Sequence, residues 1–144
     1  MKGFLLAMAM ILFVMTGCQS SNAVHDEELF ITEILNSDLS RVRSIVIRFG
    51  DGNRMTLMDD EGIREIMSQL RKMKVRAAAD SGVGYLYSLE LEEGNVKYEI
   101  SNTLAINGRS YKAVVDSTLE ELNKLIIGKG REAIPGLLPG IEIH

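Results

Sequence analysis

The segment Tyr85–Ile100 limits the fold more than any other part of the chain. Tyr85, Tyr87, Leu89 and Leu91 fall on one phase while Ser88, Glu90 and Glu92 fall on the other, and Val96, Tyr98 and Ile100 repeat the alternation around Lys97 and Glu99. A period of two is the mark of a half-buried strand. Gly94-Asn95 suits a two-residue turn between the two runs, which sets Leu91 opposite Tyr98, Leu89 opposite Ile100 and Glu92 opposite Lys97. Turn chemistry and hydrophobic pattern therefore agree on one register. A hairpin with a single apolar face must find a cover, so the chain is committed to an antiparallel sheet with something packed on one side.

The flanking segments extend this sheet. Ile45, Ile47 and Phe49 alternate before Gly50-Asp51-Gly52-Asn53, and Met55 and Leu57 alternate after it. A two-residue turn would set Ile47 opposite Thr56 and mix the faces, whereas a three-residue loop sets it opposite Met55 or Leu57; the three-residue loop is expected. Asn107-Gly108 marks a further hairpin in which Tyr111 faces Leu104. Ile63, Ile66, Met67, Leu70 and Met73 share one helical face, opened by Asp59-Asp60-Glu61 and closed by Arg71, Lys72 and Lys74 as the helix dipole favours. Ser117-Thr118-Leu119-Glu120 has the spacing of a capping box, and Leu119, Leu122, Leu125 and Ile126 continue a stripe expected to stop at Gly128. A short helical stripe is expected within Asp26–Ser40, and a loop over Ala77–Gly84. The expected class is α+β: one twisted, mainly antiparallel sheet of about five to seven short strands with two main helices packed on one face.

The N-terminus carries a different message. Lys2 precedes an unbroken apolar run from Phe4 to Met15, followed by Thr16-Gly17 and then Cys18, the one cysteine of the chain. A charged start, an apolar stretch shorter than the ~20 residues of a membrane span, and small residues at the cut describe a secretory signal. Met15-Thr16-Gly17-Cys18 resembles the lipobox, with methionine where leucine is most often found. The resemblance implies removal of residues 1–17 and attachment of diacylglycerol to Cys18, and two acyl chains anchor a protein stably. The layout is similar to that of small lipoproteins of unknown function in Bacillus-type bacteria, which implies a place on the extracytoplasmic face of the cell membrane, or on the outer membrane of a cell with two. Residues 18–28 would be lipidated cysteine and tether, 29–128 the single domain and 129–144 an extended apolar tail. Gln19–His25 reaches ~25 Å at most, so the domain would sit close to the bilayer.

Charge and residue usage then narrow the function. Twenty acidic against 16 basic residues give a net charge of −4, which argues against nucleic acid as a partner. His25 lies in the tether and His144 in the tail, so neither is placed as a rigid general base. Lipidation would consume the only thiol, removing cysteine nucleophiles and thiolate metal sites. Asp59-Asp60-Glu61 lacks the spacing of a calcium loop, and no metal or cofactor is expected. Gly82-x-Gly84 leads into a strand rather than into the helix N-terminus that a phosphate turn feeds. Glu90, Glu92 and Glu99 read as the solvated side of the sheet, and Tyr85, Tyr87, Tyr98 and Tyr111 as core under the helices rather than a binding platform.

The segment Ile134–His144 holds both prolines of the chain and five aliphatic residues. It either lies back on its own domain or serves as an extended segment that adds to a partner's sheet. The expected function is a non-enzymatic, lipid-anchored domain that binds a protein or peptide at the membrane surface. The alternative is a cell-surface hydrolase using carboxylate chemistry.

Overall fold

A computed structural model of the protein describes residues 27–80 and 84–142. The chain runs β1 (Leu29–Phe30), α1 (Ile31–Leu35), β2 (Ser44–Phe49), β3 (Arg54–Leu57), α2 (Asp60–Lys72), β4 (Lys74–Ala77), β5 (Tyr87–Glu93), β6 (Val96–Ser101), β7 (Ala105–Ile106), β8 (Arg109–Ala113) and α3 (Asp116–Ala133). All eight strands join one open antiparallel sheet in the order β1-β4-β8-β7-β6-β5-β2-β3. The α+β class is as expected. The sheet exceeds the expected five to seven strands because two-residue β1 and β7 and the four-residue β4 are too short to show a period.

The three hairpin registers match the sequence expectation. Leu91 pairs with Tyr98, Leu89 with Ile100 and Glu92 with Lys97. Ile47 pairs with Met55 across a Gly50–Gly52 loop that closes with the Phe49 amide donating to the Asn53 carbonyl at 2.8 Å. Asn107 and Gly108 both take positive φ, 47° and 79°, and the Tyr111 amide donates to the Leu104 carbonyl at 3.0 Å. Tyr85 departs from expectation: it precedes β5 and is 52% exposed, while Leu86 accepts from the Gly50 amide at 2.8 Å and donates its own amide to the Asn102 side chain at 2.7 Å.

One sheet face carries the core. Ile45, Ile47 and Phe49 of β2, Leu57 of β3, Tyr87, Leu89 and Leu91 of β5 and Ile100 of β6 are buried with Ile63, Ile66, Met67 and Leu70 of α2 and Leu122, Ile126 and Ile127 of α3. The Tyr87 hydroxyl donates to Asn123 of α3 at 2.7 Å, and burial pushes this phenol far above its ordinary range, so it stays a donor. Lys129 of α3 bridges Glu65 of α2 at 2.6 Å.

Both ends of α3 differ from expectation. The helix begins after Val115, whose side chain makes no cap, and the Thr118 hydroxyl donates to the Val115 carbonyl instead of forming a capping box. It also continues through Gly128 to Ala133. Gly130 is a contact residue rather than a stop: a β-carbon there would lie 2.5 Å from Leu137 Cδ2 and from Phe49 Cζ. The early N-terminal helix is likewise only five residues, with Glu33 reaching back to the Phe30 amide at 2.7 Å.

After α3 the chain makes two successive Pro-Gly turns rather than one extended run. Leu137 donates to Ile134 and Ile141 to Leu138 across Pro135-Gly136 and Pro139-Gly140, with both glycines at positive φ, the geometry of type II turns. Leu137 and Leu138 are buried, the Leu138 amide donates to Asp51 at 2.9 Å, and the Arg131 guanidinium donates to the Leu138 and Ile141 carbonyls. The tail therefore lies back on its own domain. Two buried leucines contribute about 3 to 6 kcal/mol, so deleting Ile134–His144 should lower the melting temperature sharply in circular dichroism. Gly130→Ala should cost about 1 to 3 kcal/mol in urea denaturation by overpacking Phe49 and Leu137.

Candidate functional site

The connection from α1 to β2 is the most constrained irregular segment. Asn36 and Leu39 take left-handed φ values of 51° and 59°, a conformation that costs a leucine roughly 1 to 2 kcal/mol. Such a residue persists only where its surroundings over-determine it. Leu39 is buried, its amide donates to the Ser37 hydroxyl at 2.9 Å, and Arg71 at the end of α2 donates to the Asp38 carbonyl at 2.7 Å and to the Leu39 carbonyl at 3.1 Å. Asp38 accepts from the Ser40 amide at 2.8 Å, and hydrogen bonds from Ser40 hold its carboxyl below the ordinary value.

Glu93 fastens this loop from the sheet side. It ends β5 on the inward phase, is 5% exposed, and is the one buried charged residue among those described. Its carboxylate accepts from the Ser37 hydroxyl at 2.6 Å, the Tyr98 hydroxyl at 3.2 Å and the Arg41 amide at 3.2 Å, with the Arg41 guanidinium 3.8 Å away. The Ser37 hydrogen bond foremost, then the Arg41 amide and Tyr98, outweigh burial and lower its pKa. A buried carboxylate with three donors is stable as an anion.

Above Glu93 lies an open groove of about 710 Å³ lined by Thr32, Asn36, Ser40, Arg41, Val96 and Tyr98. Hydroxyls, an amide and a guanidinium share it with the Glu33 and Asp38 carboxylates. The wall offers donors and acceptors of both signs, which suits a polar, extended ligand such as peptide backbone with charged side chains.

The sequence-derived candidates are distributed differently. Cys18, His25, Gly82 and His144 lie outside the described residues. Asp59 caps α2 by accepting from the Gly62 amide at 2.7 Å, and Asp60 and Glu61 are exposed in its first turn. Among the described residues no group of three His, Cys, Asp or Glu is placed to hold a metal. Glu90, opposite Glu99, bridges Lys97 at 2.8 Å and Arg48 at 3.1 Å, which lowers its pKa. Tyr87 and Tyr98 are buried and Tyr111 half-buried, so the four tyrosines form no common platform. Glu93 was not singled out by sequence, although the signal exists: it continues the Tyr87, Leu89, Leu91 phase, and a charge on an apolar phase marks a buried polar contact.

Because the folded-state pKa of Glu93 is depressed, its stabilisation is present above the unfolded-state value near 4.5 and is lost as pH falls through the folded value. Glu93→Gln should therefore lose about 1 to 3 kcal/mol at pH 7 by urea denaturation, and the gap to wild type should narrow at pH 3. An equal gap at both pH values would show that the ionised carboxylate is not what holds the loop.

No family model, curated protein or solved structure matches this chain.

Proposed function

We propose that the protein is a lipid-anchored extracytoplasmic domain, attached through Cys18, that binds a protein or peptide in the groove above Glu93. The groove supports the binding half of this reading. Its loop is held in a strained shape by fasteners from β5 and α2, which is how a recognition surface is kept ready without paying ordering entropy on contact. The two longer helices cover one face of the sheet and leave the charged row Arg48, Glu90 and Lys97 on the other. The lipobox-like Met15–Cys18 supports the anchored half.

A carboxylate hydrolase would need a carboxyl poised to carry a proton near neutral pH. Glu90 and Glu93 are both held below their ordinary values by donors, which favours binding.

Labelled palmitate supplied to a bacterial host should enter the mature protein, and Cys18→Ala should abolish both label and processing. A photo-crosslinker at Ser40 in intact cells should capture a neighbour that Arg41→Glu loses, while the same probe at Lys112 should not. Label retained by Cys18→Ala would end the anchor, and equal capture at both positions would end the groove.

A further inference from the structure

A second, smaller recess lies where the α1–β2 connection meets α2. Its floor is apolar, made by Leu39 and Val42 of the connection and Ile63 and Met67 of α2, and its volume is about 240 Å³. Sites that hold a whole small molecule run from roughly 300 to 1,000 Å³, so this one suits a single aliphatic side chain. Ser40 lines both the recess and the groove above Glu93, and a shallow depression lined by Thr32, Asp38, Ser40 and Arg71 shares residues with each. The left-handed Leu39 sits at this junction, with its side chain in the floor and its carbonyl held by Arg71.

The rim supplies the charge. Asp60, Arg64, Met67 and Arg71 recur at spacings of four, three and four along α2 and so share one face of the helix. Arg71 spends two N–H groups on the Asp38 and Leu39 carbonyls and keeps the rest for another acceptor. The exposed Arg64 guanidinium makes no hydrogen bond or ion pair among the described residues. Asp60 lies a turn before Arg64, on the side away from Arg71, which confines an incoming anion to the stretch between the two arginines.

We propose that this recess captures the C-terminal residue of the partner peptide, with the apolar side chain on the floor and the α-carboxylate on Arg64 and Arg71, a step that rests on the peptide-binding reading of the adjoining groove. The groove takes the residues upstream. A chain terminus meets both demands at once, because its carboxylate and its side chain leave the same Cα. An internal Asp or Glu does not: neighbouring side chains of an extended segment point to opposite faces, so the acid and the apolar residue beside it cannot enter one recess together. Guanidinium matches a carboxylate through two parallel hydrogen bonds, and the clasped connection holds floor and rim in place before contact.

The test uses full-length protein in detergent micelles, immobilised and offered short peptides of random sequence that all end in leucine, made once as free acids and once as C-terminal amides. The acids should be retained about tenfold or more over the amides, and over free acids that end in aspartate. Arg64→Gln should bring acids and amides to the same level, while Lys124→Gln at an exposed position of α3 should leave the preference intact. Equal retention of acids and amides by wild type, retention of neither, or a preference that survives Arg64→Gln overturns capture of a terminus. The Ser40 crosslink reads the groove separately: equal retention with that crosslink intact removes the terminus and leaves the groove.

Discussion

The structure depends on the one-sided alternation of β5. Tyr87, Leu89 and Leu91 point at the helices, and the strand pairs along most of its length with β2 on one side and β6 on the other. A one-residue slip in either pairing would turn the apolar row to water, so the core itself enforces register. The hydrogen bond from Tyr87 to Asn123 then ties this central strand to the last helix. Elements far apart in sequence are thereby fixed around one row of side chains.

The same strand explains why the loop above Glu93 is shaped as it is. Continuing the inward phase one step past Leu91 brings a carboxylate, not a hydrocarbon, under the α1–β2 connection. An unpaired charge there would be costly, and it is met by Ser37 and the Arg41 amide from the loop and by the Tyr98 hydroxyl from β6. Those contacts, with Arg71 from α2, outweigh the strain at Leu39. The groove is a by-product of satisfying a buried anion at the end of a core strand.

Most of the sheet was legible in the sequence because its information is local. Gly94-Asn95 and Asn107-Gly108 specify turns, and the alternation beside each one specifies register. The α2 stripe is legible for the same reason. What escaped was set by contacts distant in sequence. Lys74–Ala77 becomes a strand because β8 and β1 flank it, and Gly130 lies within a helix because Phe49 and Leu137 need the space a side chain would fill. The capping pattern at Ser117 was misleading because the N-cap lies two residues earlier, at Val115. Of the site, Glu93 was readable as a phase violation, whereas the left-handed Leu39 has no local signature.

The double Pro-Gly turn also orders events in time. Leu137 and Leu138 follow every other core residue along the chain, yet Leu137 seats against Phe49 beside Gly130, and Leu138 is held by Asp51. A ribosome makes these residues after all three described helices and the whole sheet, so the nascent polypeptide keeps an open flank until they emerge. Closure of this core therefore waits on the segment that follows α3, and a product truncated before Ile134 would present that gap to proteases.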